Sequence, residues 1–335
     1  MQFGYFAMPS HPPERPLKDG HEWDLQVLRW LDEFGFAEAW IGEHHTAPWE
    51  PHPSPDLLIA QALMETRHIR LAPGGFLLPY HHPAELANRV AMLDHMAQGR
   101  LNFGVAASGL PSDWAMFNVD GNAGQHREMT REALDIILKL WTAEEPFDYD
   151  GKYWKVTKTD LMLRTLRPHI RPLQKPYPPI GVAGVSKGSE TLKLAGEHGF
   201  LPMSLNLNPG YVASHWESVE EGARRTGRSP RRADWRLVRE IFIADSRSLA
   251  AVRRRNDGPN DAGIFPAAAD RCGRHPILEA RPRCRRWRCH PGVLRASQLA
   301  DRVAGDRRRE DRADVRGGRR LWRDSPVLLR LQRRP

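Results

Sequence analysis

Residues 69–106 read IRLAPGGFLLPYHHPAELANRVAMLDHMAQGRLNFGVA. Their pattern indicates a strand, then a helix, then a second strand. Residues 69–78 and 101–106 are short apolar runs, whereas residues 83–96 form a longer amphipathic run. Strands that are apolar on both faces are typical of a parallel sheet covered by helices. This stretch therefore predicts two parallel strands joined by a helix that packs on the outside of the sheet.

The same alternation continues on both sides of this unit. Seven apolar strands are predicted, at residues 2–7, 36–41, 69–78, 101–106, 179–183, 201–205 and 237–244. Seven strands with helices between them approach the eight of a TIM (β/α)8 barrel and exceed half of a doubly wound sheet. We therefore predict an α/β TIM barrel over residues 1–245. Asp150-Gly151, between aromatic residues, predicts a hairpin inserted between residues 142 and 178.

The positive charge of the chain lies almost entirely in its last quarter. The 335 residues include 50 Lys+Arg and 41 Asp+Glu, which gives a formal net charge of +9. Residues 247–335 contain 24 arginines, no lysine and a net charge of +14, so residues 1–246 carry −5. No apolar run approaches the length of a membrane span, and the three cysteines form no disulfide framework. We therefore predict a cytoplasmic protein.

Residues 246–335 are predicted to be a disordered or out-of-frame tail. Arginine without lysine, together with Pro, Gly and Ala, is what a GC-rich gene gives when it is translated in the wrong frame. Shifting the possible codons of residues 256–268, and those starting at His290 and Val315, permits apolar sequences in one common frame. We therefore hypothesise a frameshift near residues 246–251. The barrel would then lack its eighth strand and leave the first and seventh strands unpaired.

An Arg-rich arm also has a functional interpretation. Such arms bind the phosphate backbone of nucleic acids, and a merely solvated tail is the other alternative. Because the positive charge is confined to the tail, we expect no specific nucleic-acid partner, and binding to nucleic acid is the remote alternative function.

The loop after the second predicted strand, residues 41–49, reads IGEHHTAPW. Active sites of barrels lie at the carboxyl ends of the strands, so this loop is placed for chemistry. Imidazole changes charge near neutral pH, which makes His44 the candidate general acid or base. Histidines that are simply solvated are the alternative. Neighbouring residues point to opposite sides and the H-E-x-x-H spacing is absent, so we predict no metal site.

Two glycines and two histidines follow the third predicted strand. Gly74 and Gly75 leave space for a flat ligand or for another backbone, and a β-bulge is the ordinary explanation for them. His81 and His82 precede a predicted helix, where a histidine is usually a surface residue. His44 therefore ranks above both as a candidate catalyst.

The loop after the fifth predicted strand, residues 182–199, reads VAGVSKGSETLKLAGEHG. Small residues, hydroxyls, a cation and the amides of a helix N-terminus together suit a phosphate group. The residues that supply them are Gly184, Ser186, Lys187, Gly188 and Ser189. The spacing matches neither G-x-G-x-x-G nor the P-loop, and a serine that only caps the helix is the alternative.

Several motifs resemble, in order, those of the bacterial luciferase-like, flavin-dependent monooxygenases. They are MQFGYF with the PPE that follows it, FAEAWIGEHH, GGFLLPYHHPAELA, LDHMAQGRLNFGV and VAGVSKGSETLKLAGEHG, within about residues 1–245. The resemblance implies a barrel that binds FMN, in its reduced form from a separate reductase, and uses O2 to oxygenate a small hydrophobic substrate. The sequence is nearer to limonene-type monooxygenases than to luciferase, which implies a terpene-like substrate. A deazaflavin (F420)-dependent oxidoreductase on the same barrel is the alternative.

The resemblance also implies roles for individual residues. His44 corresponds to the histidine that handles protons at the flavin, and the Gly74-Gly75 bond lies where the family often has a non-prolyl cis peptide. Cofactor-binding positions by similarity are Gly74, Gly75, Ala106, Gly184, Ser186, Gly188, Ser189 and Thr191. The loop that begins at Ala106 lacks the cysteine and the phosphate-binding arginine of luciferases proper.

Three aromatic residues are candidates for an apolar substrate pocket. Trp49, Tyr80 and Trp114 follow predicted strands, although aromatic residues at such positions are equally often part of the core. The family resemblance implies a dimer.

Overall fold

The computed structural model describes residues 2–163, 165–205 and 208–239, and the backbone of residues 327–330. These residues all belong to one compact unit. The proposed frameshift near Ser246 lies outside the described residues. The same holds for all of the predicted tail except residues 327–330. Within the described ranges, no helix has both the length and the apolar composition needed to cross a membrane.

Helices alternate with strands along the chain, as the sequence predicts. The strands are β1 (Gln2–Ala7), β2 (Glu38–Ile41), β3 (Arg70–Pro73), β4 (Phe76–Leu77), β5 (Phe103–Ala106), β6 (Phe147–Asp150), β7 (Lys155–Lys158), β8 (Ile180–Gly184), β9 (Leu201–Leu205), β10 (Arg236–Arg239) and β11 (Val327–Arg330). The helices are α1 (Leu17–Glu33), α2 (Pro55–Glu65), α3 (Pro83–Ala97), α4 (Pro111–Met116), α5 (Gln125–Thr142), α6 (Glu190–His198) and α7 (Val212–Arg225).

The main sheet closes into a barrel. Hydrogen-bonded neighbours follow the order β3, β2, β1, β11, β10, β9, β8, β5, β4. The predicted third strand is divided into β3 and β4, and both halves lie beside β5, since Leu71 also forms a parallel bridge with Leu101. The first and last strands of the order are therefore parts of one strand position. The predicted TIM-barrel fold is confirmed.

The eighth strand position is filled by a segment from the end of the chain. β11 pairs antiparallel with β1 on one side and with β10 on the other. The prediction that the first and seventh strands keep unpaired edges is therefore wrong. Exposed strand edges carry unpaired N–H and C=O groups, and a short apolar run that was not counted as a strand supplies their partners. A parallel eighth strand does not occur in the described part of the chain.

Alternation along the strands fills the barrel from the inside and packs helices on the outside. In β2, Trp40 belongs to an interior cluster with residues of β1, β3, β9 and β10, whereas Ala39 and Ile41 pack in the larger cluster with the helices. Trp40 reaches across the interior to β8, where a Cβ on Gly181 would lie 2.5 Å from its ring. The interior of the barrel around Trp40 is thus a packed core rather than a channel.

A buried ion pair closes the amino-terminal end of the barrel. The Arg236 guanidinium donates to both carboxylate oxygens of Glu38, at 3.0 and 3.1 Å, and Asn102 donates to the same carboxylate at 3.4 Å. Both charged side chains are almost completely buried. Residues at the amino-terminal end of a barrel usually stabilise the fold and take no part in the chemistry.

The connection between β5 and β8 contains one predicted and one unpredicted element. The predicted hairpin is confirmed, because β6 and β7 pair antiparallel around Asp150 and Gly151. The short helix α4, which was not predicted, follows β5 and carries Asp113. Its side chain is fully buried.

Candidate functional site

His44 lies between two buried carboxyl groups at the carboxyl end of β2. Its Nε2 is 3.3 Å from Glu50 Oε2, and its Nδ1 is 3.6 Å from Asp113 Oδ2. The 3.6 Å separation is longer than a hydrogen bond. His44 Nδ1 and Asp113 Oδ2 are both buried and make no hydrogen bond within the protein. This side of the loop therefore has unused hydrogen-bonding capacity.

The two carboxyl groups beside His44 differ in acidity. Burial raises the pKa of Glu50, although the charge of His44 opposes this effect. Burial would also raise the pKa of Asp113, but His44 and the Thr46 hydroxyl, which donates to Asp113 Oδ1, together lower it. Titratable groups whose environments separate their pKa values are typical of acid–base sites. The arrangement is suited to holding or moving a proton at His44.

Glu43, one residue earlier, has the opposite environment, because its carboxylate is saturated with donors. Oε1 is 2.8 Å from His45 Nε2 and 3.0 Å from His81 Nε2, and Oε2 accepts from the Leu77 amide at 3.1 Å. Its side chain has no exposed surface. Burial would raise the pKa of Glu43, but the two imidazoles and the Leu77 amide lower it. Glu43 thus joins β2 to the start of β4 as a buried carboxylate.

Arg89 of α3 fixes the protonation of His81. Its Nη2 donates to His81 Nδ1 at 3.2 Å, so His81 carries its proton on Nε2 and donates it to Glu43. Arg89 also pairs with Asp56 of α2 at 2.9 Å. His81 is consequently a buried link in a charge network. His82, in contrast, is exposed and precedes α3, as the sequence indicates.

An aromatic wall, formed by His45, Tyr80 and Phe117, lines the same end of the barrel. The Tyr80 and Phe117 rings are stacked at 4.2 Å, and the edge of the His45 ring meets both rings at 5.6 and 4.7 Å. Tyr80 donates from its hydroxyl to Ser108 Oγ at 2.8 Å, and burial raises the pKa of Tyr80 to about 12. Ser108 has a φ of +70°, a conformation that costs a non-glycine residue energy and is common at functional sites.

The other two aromatic candidates lie elsewhere. The Trp114 ring packs at a tilt against His126 of α5, with 5.0 Å between the ring centroids, so it faces the outer helix. Trp49 is 39% exposed, and its carbonyl accepts the His11 amide at 2.8 Å. Of the three predicted pocket residues, Tyr80 is the one that lies in the aromatic wall.

Gly74 and Gly75 separate β3 from β4 because neighbouring backbones approach them closely. A Cβ on Gly75 would lie 2.7 Å from the Val105 amide nitrogen, and one on Gly74 would lie 3.0 Å from the Ile41 carbonyl carbon. The space of their missing side chains is thus occupied by β2 and β5. The cis peptide implied by the resemblance is not found, since the described residues have their cis bond at Lys175-Pro176.

The loop after β8 uses two of its predicted phosphate-binding hydroxyls internally. Ser189 Oγ caps α6 by accepting from the Leu192 amide at 3.4 Å, and Thr191 Oγ1 donates to the Ala183 carbonyl at 2.6 Å. Gly184 is needed where Leu192 of α6 packs on β8. Ser189 therefore caps α6, as the alternative interpretation of the sequence proposes.

Three other residues of this loop have exposed surface, although the Gly188 amide donates to Ser214 Oγ at 3.4 Å. Ser186, Lys187 and Gly188 are exposed at the amino end of α6, and Gly188 has a φ of +63°. The first amides of a helix make no hydrogen bond within it and attract anions. Ala106, the last residue of β5, is half-buried at the same end of the barrel.

Sequence reasoning missed Glu50, Asp113, Ser108 and Phe117. Each lies in a loop or short helix after a strand and shares no sequence motif with His44. They meet His44 or Tyr80 because strands and their loops converge when the barrel closes.

A closed barrel with a histidine between two carboxyl groups at the carboxyl ends of its strands defines the class as a barrel enzyme. The sequence profile described as Luciferase-like monooxygenase matches residues 1–292. The chain belongs to this family, as predicted. The match extends beyond residue 245, where the predicted barrel ends; that domain boundary stays a prediction.

Two sequence relatives are monooxygenases. The 4-hydroxyprotoasukamycin monooxygenase of Streptomyces nodosus subsp. asukaensis is 36% identical over 258 residues, which cover 75% of this chain and 66% of that protein. Limonene 1,2-monooxygenase of Rhodococcus erythropolis is 34% identical over 261 residues, covering 76% of this chain and 64% of that protein. The chain thus spans about two thirds of the length of these relatives. The predicted resemblance to limonene-type monooxygenases is confirmed.

A solved structure supports the same assignment. It is the oxygenating constituent of 3,6-diketocamphane monooxygenase of Pseudomonas putida, a type II Baeyer-Villiger monooxygenase in complex with FMN. It is 33% identical, covers 77% of this chain and 72% of its own chain, and gives a TM-score of 0.70.

Proposed function

We propose that this chain is the oxygenating component of a two-component, FMN-dependent monooxygenase. One oxygen atom of O2 enters a small hydrophobic, terpene-like substrate and the other leaves as water. Reduced FMN from a separate reductase supplies two electrons and two protons. The observation that carries the proposal is His44 between two buried carboxyl groups, at the mouth of a barrel whose 33% identical neighbour binds FMN.

The residues at the mouth fit a flavin. Buried, unpartnered polar atoms at His44 Nδ1 and Asp113 Oδ2 leave donors and acceptors for a polar ligand. Ser186, Lys187, Gly188 and the first amides of α6 would hold the phosphate. Because the Ser189 and Thr191 hydroxyls already make internal contacts, these two residues would shape the loop rather than bind the phosphate directly.

The residues of this chain would do three things in the reaction. Reduced FMN, when bound, supplies the chemistry that activates O2. His44 would hold or transfer a proton at Nδ1 or Nε2, with Glu50 and Asp113 orienting its ring from either side. The aromatic wall would contact the apolar substrate and exclude water from the reacting atoms.

The central experiment combines anaerobic titration of the full chain with reduced FMN and measurement of O2 uptake and product with a cyclic terpenoid. We expect His44→Ala to bind reduced FMN and to lose about 10²- to 10⁴-fold in product formation, because proton transfer is removed. The matched control is His68→Ala, which removes an exposed histidine outside the site. Wild-type product formation by His44→Ala would contradict the proposed role.

The cofactor and the alternative functions are tested with the same protein. Turnover that consumes reduced deazaflavin without O2 would replace the proposal by the F420-dependent alternative. DNA binding that survives removal of residues 247–335 would favour a nucleic-acid function, whereas binding that is lost with the tail and weakens steeply with salt would be non-specific electrostatic attraction. We expect neither of the two results that favour an alternative.

We also propose that two copies of the chain form a dimer, through α2 and α3. These adjacent helices carry large apolar side chains that are exposed to solvent: Leu57, Met64, Met92 and Met96. Apolar surface of this kind is usually covered by a partner. Sedimentation should show that the wild type is a dimer and that Met64→Glu dissociates it. Met116→Glu, which changes an exposed residue of α4, should leave the dimer intact. A monomeric wild type would contradict this. The cytoplasmic location stays a prediction.

A further inference from the structure

Two histidines and one aspartate meet beside the barrel mouth, outside the site described above. His11 follows β1, Asp24 lies in α1, and His52 lies in the loop before α2. His11 Nε2 and His52 Nε2 are 2.9 and 2.8 Å from the same atom, Asp24 Oδ2. The three atoms lie within 4.8 Å of one another. Three side chains from separate segments thus direct metal-ligand atoms to one point.

The cluster is buried and its two loops are held by backbone hydrogen bonds. His11 and His52 are each 6% exposed. The His11 amide donates to the Trp49 carbonyl at 2.8 Å, and the His52 carbonyl accepts the His44 amide at 3.1 Å. Gly20 of α1 makes room for the His11 ring, since a Cβ there would lie 2.9 Å from Cδ2. The ligand atoms are therefore held in position before any ion binds.

The chemistry of the three groups selects the class of ion. Two imidazole nitrogens and one carboxylate oxygen are typical of sites for divalent transition-type ions such as Zn²⁺ and Fe²⁺, with coordination positions left for water. The cluster contains no thiolate, and its single carboxylate does not suit Ca²⁺ or Mg²⁺, which require more oxygen ligands.

The protons of the cluster can rearrange to free its ligand atoms. Without a metal, each Nε2 is within hydrogen-bond distance of Asp24 Oδ2. A metal-bound imidazole carries its proton on the other nitrogen. His11 Nδ1 is buried without a hydrogen-bond partner, so no neighbouring group prevents His11 from changing to that tautomer.

We propose that His11, Asp24 and His52 form a zinc-type metal site that binds one divalent ion through Nε2, Oδ2 and Nε2. The ion cross-links the loop after β1, helix α1 and the loop after β2. Because the last of these loops also carries His44 and Glu50, the ion acts as a structural cross-link behind the reaction site. Neither of those two side chains is among its three ligands.

The test measures Zn²⁺ binding to the full chain after removal of metal with a chelator. We expect one Zn²⁺ per chain and a rise in melting temperature, because an ion that binds the native state stabilises it. Co²⁺ in place of Zn²⁺ should give the visible absorption of a four-coordinate site. His52→Gln keeps a donor for Asp24 but lacks the imidazole nitrogen, so we expect affinity to fall at least about 100-fold. His68→Gln is the matched control and should bind normally.

X-ray absorption at the zinc edge of the wild-type protein tests the ligands without any substitution. Two imidazoles with oxygen ligands support the site. Sulfur ligands would place the ion on Cys272, Cys284 or Cys289 and overturn the proposal. Absence of stoichiometric binding, or undiminished binding by His11→Gln and His52→Gln, would overturn it equally. If His52→Gln does not fold, Asp24→Asn replaces it in the titration.

Discussion

Glu43 and His44 are neighbours in the chain, yet their surroundings are opposite. Both carboxylate oxygens of Glu43 accept hydrogen bonds, and the donors are two imidazoles and one backbone amide. His44 lies between carboxyl groups that it approaches without saturating them, and Nδ1 has no partner. A saturated buried charge stabilises the fold, whereas an unsaturated one is available to a ligand. Adjacent residues of one loop therefore divide structure and chemistry between them.

Replacing a carboxylate by its amide, at Glu43 and separately at Asp113 beside His44, distinguishes these two roles. Glu43→Gln replaces one acceptor oxygen with an amide group that faces N–H donors, and Arg89 prevents His81 from changing its tautomer. Breaking such a buried charged cluster costs about 3–5 kcal/mol of unfolding free energy. Urea unfolding followed by tryptophan fluorescence measures it. A loss below about 1 kcal/mol would contradict the structural role of Glu43.

Asp113→Asn is the matched change on the His44 side. The amide oxygen still accepts from Thr46, so stability should change by about 1 kcal/mol or less. The negative charge near His44 Nδ1 is removed, and we expect product formation to fall about 10- to 100-fold. Steady-state kinetics across pH checks this. Lost stability with unchanged kinetics would reverse the assignment of the two clusters.

A smaller effect is the pH dependence of the Glu43 contribution. The pKa of Glu43 is lowered from 4.5 in the folded protein. Its stabilisation is therefore complete above the ordinary pKa and is lost as pH falls through the folded value. The difference in unfolding free energy between wild type and Glu43→Gln should shrink below about pH 4.5. A difference that stays constant with acidification would disagree with a charged Glu43.

The smallest expected effect is that of Tyr80→Phe in the aromatic wall. The substitution keeps the stacking on Phe117 and removes the hydrogen bond to Ser108, which costs about 1 kcal/mol of unfolding free energy. Phe117→Ala should cost more because it removes the stacked ring. Thermal unfolding of both variants provides the comparison. Equal losses would mean that the wall is not held by stacking.

The fold was predictable wherever a local pattern determines it. The amphipathic run at residues 83–96 lies in α3, and the apolar runs at residues 2–7 and 201–205 lie in β1 and β9. A close approach of another backbone at Gly74 and Gly75 was one of the sequence interpretations, but the division of the third strand there was not predicted, because it depends on the backbones of β2 and β5 beside it. β11 was not predicted either, since three apolar residues followed by an arginine become a strand only beside two open edges.

The candidate site was predictable only in part. His44 is conspicuous because its loop directly follows an apolar strand. The spacing of Glu50 and Asp113 carries no comparable signal, since a carboxylate 69 residues beyond His44 is brought near it by the strand order. The same limit applies to His11, Asp24 and His52, which no metal motif connects.

By itself, the sequence determined the alternation of strands and helices, the family and the loop that carries His44, because period and motif are properties of consecutive residues. Only the tertiary structure decided which groups meet. Closing the barrel brings loops from distant parts of the chain to one end. There, burial and the number of available donors make Glu43 a structural carboxylate, leave His44 unsaturated and bring His11, Asp24 and His52 together.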